Sequence, residues 1–209
     1  MRTKENLVNP DSDYYIYQPS TIASRLYLYP KEIGYFYYEP GYWRSRIQYN
    51  SFLLMYIAKG TCQVLLPNQQ LQNAAAGQVV LIDCYVPHEY GFDSNSEVAW
   101  IHFDGPLARD FYDLIFASHG NIISPSNPFP ITNGLDQMLH VFRNSKPLKE
   151  GEASEMITQM LNTLLYTRAY SGNTTSHFKV VEKSRAYINE HFSEPLTLDQ
   201  LAKNANMSP

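Results

Sequence analysis

Aromatic and histidine side chains alternate along two short, strand-like runs between Ala76 and Gly105. The first run carries His88 and Tyr90, and the second carries Trp100 and His102. Because successive side chains of a strand point to opposite faces, the members of each pair share one face. If both faces point the same way, these rings line one cavity. There, flat rings can stack on a small ligand while imidazole and phenol tips form hydrogen bonds with it.

The two imidazoles are also candidates for a metal site, since histidine is the commonest metal ligand in proteins. A third ligand is not indicated, because Glu89 adjoins His88 and should point to the opposite face of the strand. We therefore expect neither a metal nor another cofactor. Simpler explanations remain open: His88 could be satisfied by a backbone group, and Tyr90 and Trp100 could belong to a packed core.

The region before Gly105 has the period-two pattern of β-strands, interrupted by glycine and proline. Strands are predicted at residues 25–29, 34–38, 44–49, 52–57, 61–66, 69–72, 79–82, 88–92 and 98–103. So many short strands indicate an antiparallel sandwich or barrel, and a small barrel can enclose one small ligand. The residues before the barrel read as an arm, partly ordered at Tyr14 to Tyr17.

After Gly105 the apolar residues recur with a helical period. One helix should end at Gly120, a second should span about 132–142, and a third should bury a wide face from Met156 to Leu165. Residues 122–130 contain three prolines and are predicted to form a loop. Further on, Thr197 and Gln200 have the spacing of a capping box, which predicts a short helix there.

Composition excludes several classes of protein. The chain of 209 residues has a formal net charge of −4, which argues against a phosphate-binding surface made by these residues alone. No apolar run reaches the roughly 18–20 residues of a membrane span, and the first thirty residues lack the apolar core of a signal peptide. With two isolated cysteines that read as reduced core residues, the sequence favours a cytoplasmic location.

The segment RAYINEHFSEPLTLDQLAKNANMSP, residues 185–209, resembles the start of the DNA-binding domain of the AraC/XylS family of bacterial transcription regulators. The first part of the chain is similar to the sensor half of that family, a cupin-like jelly-roll barrel. This similarity is carried by four stretches: Tyr56 to Gly60, Gly77 to Ile82, Tyr85 to Tyr90, and Trp100 to Gly105. One departure from the family's pattern is the position of the proline, since Pro87 immediately precedes His88.

The resemblance implies a mostly β fold with helices. It predicts an arm at 1–20, a cupin-like jelly-roll barrel at 21–105, a helical dimerisation segment at 106–171, a linker at 172–177, and an incomplete helix-turn-helix domain at 178–209. On this interpretation the chain is a fragment. DNA would be bound through the complete C-terminal domain and not by these residues alone, and a homodimer would form through the helices of 106–171.

The resemblance also implies a function and a site. Members that bind arabinose use an N-terminal arm, an early-strand arginine, a tyrosine just after the barrel histidine, and a tryptophan on a later strand. Here Tyr90 and Trp100 match the last two, and the arginine is Arg44 or Arg46, which share a strand face. With His88 and His102 these form the candidate site for a small effector, which we expect to be a sugar. The alternative is a metal-dependent cupin enzyme, such as a sugar isomerase or a dioxygenase; we expect a protein that is not an enzyme.

Overall fold

Two antiparallel sheets and a layer of helices make up the computed structural model, which describes residues 3, 5–167, 188 and 196–205. The strands are β1 (Asp13–Ile16), β2 (Tyr29–Tyr38), β3 (Tyr42–Arg46), β4 (Phe52–Lys59), β5 (Thr61–Leu65), β6 (Gln72–Ala75), β7 (Val79–Asp83), β8 (His88–Phe92), β9 (Ser96–Asp104) and β10 (Ile122–Ile123). The helices are α1 (Thr21–Leu26), α2 (Ala108–His119), α3 (Phe129–Arg143), α4 (Glu150–Leu165) and α5 (Leu198–Ala205). The chain divides into two units, residues 1–167 and 168–209.

Strand pairing produces a larger and a smaller sheet. The larger has the order β1-β2-β9-β4-β7-β10, and the smaller has the order β3-β8-β5-β6. Each sheet contributes alternate side chains to a shared apolar cluster, which includes Phe36 and Met55 from the larger sheet and Tyr90 and Phe92 from the smaller. The sheets therefore enclose the interior of a barrel.

The larger sheet is buried on both faces, which explains the continuous apolar run of β4. Leu53 and Met55 point into the barrel, whereas Phe52 and Leu54 belong to a second cluster together with the helices. Helices α2, α3 and α4 supply the other side of that second cluster. Such burial on two faces removes the polar alternation that a half-exposed strand would have.

Most of the predicted elements are confirmed, including the three helices after Gly105, and the arm is ordered about where expected, as strand β1. The strand predicted at 69–72 is misplaced, since β6 begins only at Gln72. The strand predicted at 25–29 is wrong: residues 21–26 form α1, and β2 begins only at Tyr29. Ser20 explains the helix, because its hydroxyl accepts a hydrogen bond from the Ala23 amide and caps the first turn. The predicted loop at 122–130 also contains β10, which pairs with β7.

The C-terminal unit is described only in part. The capping box is confirmed: the Thr197 amide donates to Gln200 Oε1 at 2.9 Å, and the Gln200 amide donates to Thr197 Oγ1 at 3.3 Å. Helix α5 begins at Leu198, directly after Thr197. The predicted linker at 172–177 and nearly all of the helix predicted at 178–192 lie outside the described residues. Among the helices described, none is long and apolar enough to cross a membrane.

Candidate ligand-binding cavity

A cavity of about 200 Å³ lies between the two sheets. Five of the six predicted site residues line it, namely Arg44, Arg46, Tyr90, Trp100 and His102. The rest of its wall is formed by Thr3, Glu5, Tyr14, Glu32, Phe36, Tyr38, Tyr42, Leu53 and Met55. The wall is thus aromatic, with charged groups of both signs placed among the rings.

Strand register brings these side chains together. Arg44 lies opposite Tyr90 in the β3–β8 pair, and Trp100 lies opposite Gly34 in the β2–β9 pair. Gly34 is needed at its position, because a Cβ there would lie 2.5 Å from Cζ2 of Trp100 and 2.9 Å from the Asp13 carbonyl oxygen. The missing side chain leaves room for the indole to lie against β2.

The residues before β1 reach the cavity and contribute a carboxylate to it. The Tyr42 hydroxyl donates a hydrogen bond of 2.8 Å to Glu5 Oε1, and Arg44 forms an ion pair with the same oxygen. The backbone anchors this segment, since the Glu39 amide donates to the Leu7 carbonyl and Val8 forms an isolated bridge with Tyr38. The N-terminal segment therefore closes part of the cavity and neutralises Arg44.

Arg46 has a different environment, although it lies on the same face of β3. Its guanidinium carbon is 4.3 Å from the centroid of the Tyr49 ring, an arrangement that favours a cation. Among the described residues it has no ion-pair partner, and its Nη1 is buried without a hydrogen-bond partner. Nearby, the Tyr49 hydroxyl is occupied by a hydrogen bond to Glu32.

Trp100 and His102 lie side by side on β9. The indole packs edge-on against Phe36 with ring centroids 5.1 Å apart, and its Nε1 is buried with no acceptor among the described residues. The His102 ring is buried and its Nδ1 lies 2.9 Å from the Ser51 hydroxyl. Burial, reinforced by the positive charge of Arg46, holds the pKa of His102 well below its usual range, so this imidazole is neutral near pH 7.

Tyr90 and His88 both lie on β8 but contribute differently. Burial raises the pKa of Tyr90 to about 12, so its phenol stays protonated and can donate a hydrogen bond. His88 does not line the cavity; it lines a neighbouring groove that shares Arg46. Its Nδ1 donates to the Val86 carbonyl at 2.8 Å, as the simpler explanation expects, whereas its Nε2 is buried without a hydrogen-bond partner among the described residues.

A metal site receives no structural support from the same side chains. Among the residues that the structure describes, no group of three or more His, Cys, Asp or Glu side chains is arranged to hold a metal ion. The two described cysteines, Cys62 and Cys84, are free, buried thiols. Burial raises the pKa of Cys62 to about 12, which keeps this thiol protonated and inert.

Sequence reasoning missed several wall residues, among them Glu5, Tyr14 and Glu32, whose side chains are polar. Glu5 and Tyr14 come from the arm, so the only signal for them was that the resembling regulators use an arm at their ligand site. Glu32 is on β2 directly opposite His102, a register that no local pattern reveals. These residues add two carboxylates and a phenol to the cavity.

Comparison with known proteins identifies the family. A model of the AraC-like ligand-binding domain matches residues 29–162. The chain belongs to this family. The match spans the barrel from β2 onward and helices α2, α3 and most of α4, and it confirms the sensor half of the resemblance seen in the sequence. The comparison with curated proteins found no match.

Solved structures with a similar fold include both regulators and other cupins. The AraC-like transcriptional activator CuxR is 11% identical, with 94% of this chain and 76% of that chain covered at a TM-score of 0.48. A conserved protein of unknown function from Streptococcus pyogenes is 14% identical, with 44% of this chain and 70% of that chain covered at a TM-score of 0.35. A cupin superfamily protein from Desulfitobacterium hafniense is also 14% identical, with 49% of this chain and 82% of that chain covered at a TM-score of 0.34. At these TM-scores the likenesses carry no argument. The predicted fold class, a mostly β domain followed by helices, is confirmed by the order of strands and helices in the structure and by the family match.

Proposed function

We propose that the cavity binds a small effector, a sugar in our first assignment, and that this AraC-like ligand-binding domain thereby regulates transcription. The observation that carries the proposal is a hollow barrel lined by Arg46 and Trp100, each of which has a buried donor, Nη1 and Nε1 respectively, without an acceptor among the described residues. Buried polar groups are normally hydrogen-bonded, so such donors suit a ligand that brings acceptor oxygens.

The size and chemistry of the wall favour a compact polar ligand. A volume of about 200 Å³ equals roughly six or seven water molecules in the liquid, which fits a single sugar ring better than a larger ligand. The Trp100 and Tyr90 rings can pack on the C–H faces of a sugar. The carboxylates of Glu5 and Glu32 accept hydrogen bonds, as sugar hydroxyl groups require.

Strand β1 offers a route by which an occupied cavity could affect the helices. Tyr14 lines the cavity, whereas its neighbours Asp13 and Tyr15 contact α3. Arg143 of α3 donates to both Asp13 oxygens, at 2.7 and 2.9 Å, and the Tyr15 ring stacks on Phe142 with centroids 5.5 Å apart. An effector that binds one arrangement of β1 more tightly than another would shift the balance between them.

The output of this sensor is proposed to be DNA binding by a complete C-terminal domain, as the resemblance at 185–209 implies. Dimerisation through the helices is part of the same proposal and is supported by apolar side chains left exposed on α2. Leu107, at the N-cap, is 56% exposed, and Leu114, seven residues further on and so on the same face, is 57% exposed. Sedimentation of wild type and Leu114→Glu tests this step: a dimer that the variant converts to monomer supports it, and an unchanged mass contradicts it.

The sequence contains only two tryptophans, which allows a sharp test of effector binding. Trp43 lies on the outer side of β3, where its Nε1 donates to Glu89, and it does not line the cavity. Trp43→Phe therefore leaves Trp100, in the cavity wall, as the only tryptophan of the sequence. Sugars are screened by thermal shift, since a ligand that binds the folded state raises the melting temperature, and each hit is titrated by Trp100 emission.

We expect the hit to change Trp100 emission, and we expect Trp100→Ala and Tyr90→Phe to weaken its binding while Trp43→Phe does not. A ligand that stabilises the protein with equal affinity in all three variants would contradict the site. The alternative, a metal-dependent enzyme, is tested by elemental analysis of the purified protein. Stoichiometric iron, manganese or zinc that is lost in His102→Ala would contradict the regulator.

A further inference from the structure

The two arginines of the cavity differ in how their charge is balanced. Arg44 and Arg46 are two residues apart on β3 and both line the cavity. Glu5 neutralises Arg44 through an ion pair, and the same carboxylate also accepts the Tyr42 hydrogen bond. Within the described part of the chain Arg46 has no carboxylate partner, and one of its terminal nitrogens has no acceptor.

Other groups near Arg46 do not supply the missing negative charge. Glu32 accepts a hydrogen bond from the Tyr49 hydroxyl, but it makes no ion pair with Arg46. Lys31 is a second cation near the Tyr49 ring, with its Nζ 5.9 Å from the ring centroid. His102 is neutral. With two cations and one carboxylate, this end of the cavity carries an excess of positive charge.

A guanidinium that is partly buried at the wall of a small cavity is unfavourable unless a hydrogen-bonded anion accompanies it. Its planar fork of N–H groups matches the two oxygens of a carboxylate. The indole Nε1–H of Trp100, also without an acceptor, adds a donor to the same wall. Arg46 and Trp100 thus each have a donor without an acceptor among the described residues, and the charge around Arg46 is net positive; a carboxylate supplies acceptors and negative charge together.

The Glu5 end of the cavity has the opposite preference. Glu5 is a carboxylate, and carboxylates accept hydrogen bonds from hydroxyl groups but repel a second anion. A ligand that fits both ends has a carboxylate at one end and hydroxyl groups at the other. We propose that the effector is a sugar acid, a uronate or aldonate of about six carbons, whose carboxylate binds Arg46. This inference rests on the proposed function, because it names the class of ligand for the same site.

Matched pairs of ligands test the proposal by titration calorimetry on the whole chain. Glucuronate is compared with glucose, galacturonate with galactose, and gluconate with its uncharged reduction product sorbitol. A charge-assisted hydrogen bond is typically worth a factor of about 10 to 100 in affinity, so at least one acid should bind more tightly than its neutral partner by that factor. Raising the salt concentration should reduce the difference.

Variants assign the effect to Arg46. Arg46→Gln should abolish the preference for the acid, and Arg46→Lys should keep part of it, because a lysine retains the charge but not the planar fork. Lys59→Gln is the control for net charge, since this exposed lysine lies outside the cavity, and it should bind like wild type. Unfolding curves for each variant confirm that the fold is retained.

The outcomes separate this inference from the proposed function. Neutral sugars that bind as tightly as their acids, with no effect of Arg46→Gln, would overturn the sugar-acid assignment and leave the sensor intact. Binding of an acid that Arg46→Gln weakens but Trp100→Ala leaves unchanged would place the acid outside the cavity and overturn both. A panel in which no acid binds would overturn the sugar-acid assignment.

Discussion

The buried neutral histidine of the cavity wall should make the stability of this domain depend on pH. His102 is 3% exposed, and burial keeps its pKa well below the usual value, as does the nearby charge of Arg46. In the unfolded chain the same group titrates near pH 6.5. Below that pH the unfolded state therefore binds a proton that the folded state does not accept.

The sign and the size of the effect follow from this difference in protons bound. Stability falls as the pH falls, because protonation favours the unfolded state, and it is fully present above about pH 6.5. Between about pH 7.5 and pH 5.5, one histidine that stays neutral in the folded state lowers the free energy of unfolding by roughly 1 to 2 kcal/mol. That is a substantial fraction of a typical total of about 5–15 kcal/mol.

Urea unfolding followed by tryptophan fluorescence measures this loss, since Trp43 and Trp100 both lie within residues 1–167. His102→Gln should show a smaller loss between the two pH values than wild type, by roughly 1 to 2 kcal/mol. His140→Gln, which replaces an exposed histidine of α3, is the control and should keep the full loss. If His102→Gln retains the wild-type pH dependence, the argument from burial is wrong.

Two further predictions concern packing and a buried charge. Gly34→Ala should destabilise the domain by about 1–3 kcal/mol and weaken effector binding, because its methyl group would displace the Trp100 indole. The control is Gly151→Ala on the exposed surface of α4, which should stabilise the domain by up to about 1 kcal/mol. Urea unfolding compares the two variants, and equal effects would contradict the clash with Trp100. Asp83→Asn weakens the ion pair with Arg109, whose Nη1 and Nη2 donate to the Asp83 oxygens at 2.6 and 3.1 Å, and leaves Asp113, 3.7 Å from Nη1, as the remaining carboxylate partner. Because Arg109 is half-exposed, the loss should be only about 1–2 kcal/mol, and melting in low and high salt checks that it is electrostatic.

The sequence predicts the fold well wherever a local pattern decides the structure. Alternation along β8 and β9 and the helical period after Gly105 depend only on near neighbours. The pattern fails at residues 25–29, whose alternating side chains predict a strand. Instead, Ser20 caps a helix that includes Arg25 and Leu26, and β2 begins only at Tyr29. It also fails at β10, a two-residue strand that exists only because β7 is available to pair with it.

The cavity is harder to predict because its charges are balanced over long sequence distances. From the sequence alone Arg44 and Arg46 are equivalent, since they have the same type, strand and face. What distinguishes them is Glu5, which reaches Arg44 from a segment that the sequence identifies only as a polar arm. The unpaired charge that makes Arg46 a candidate for an acidic effector is therefore a property of the folded chain, since it depends on which arginine the arm reaches. Shifting that carboxylate from Arg44 to Arg46 would reverse the roles of the two residues without changing the strand pattern.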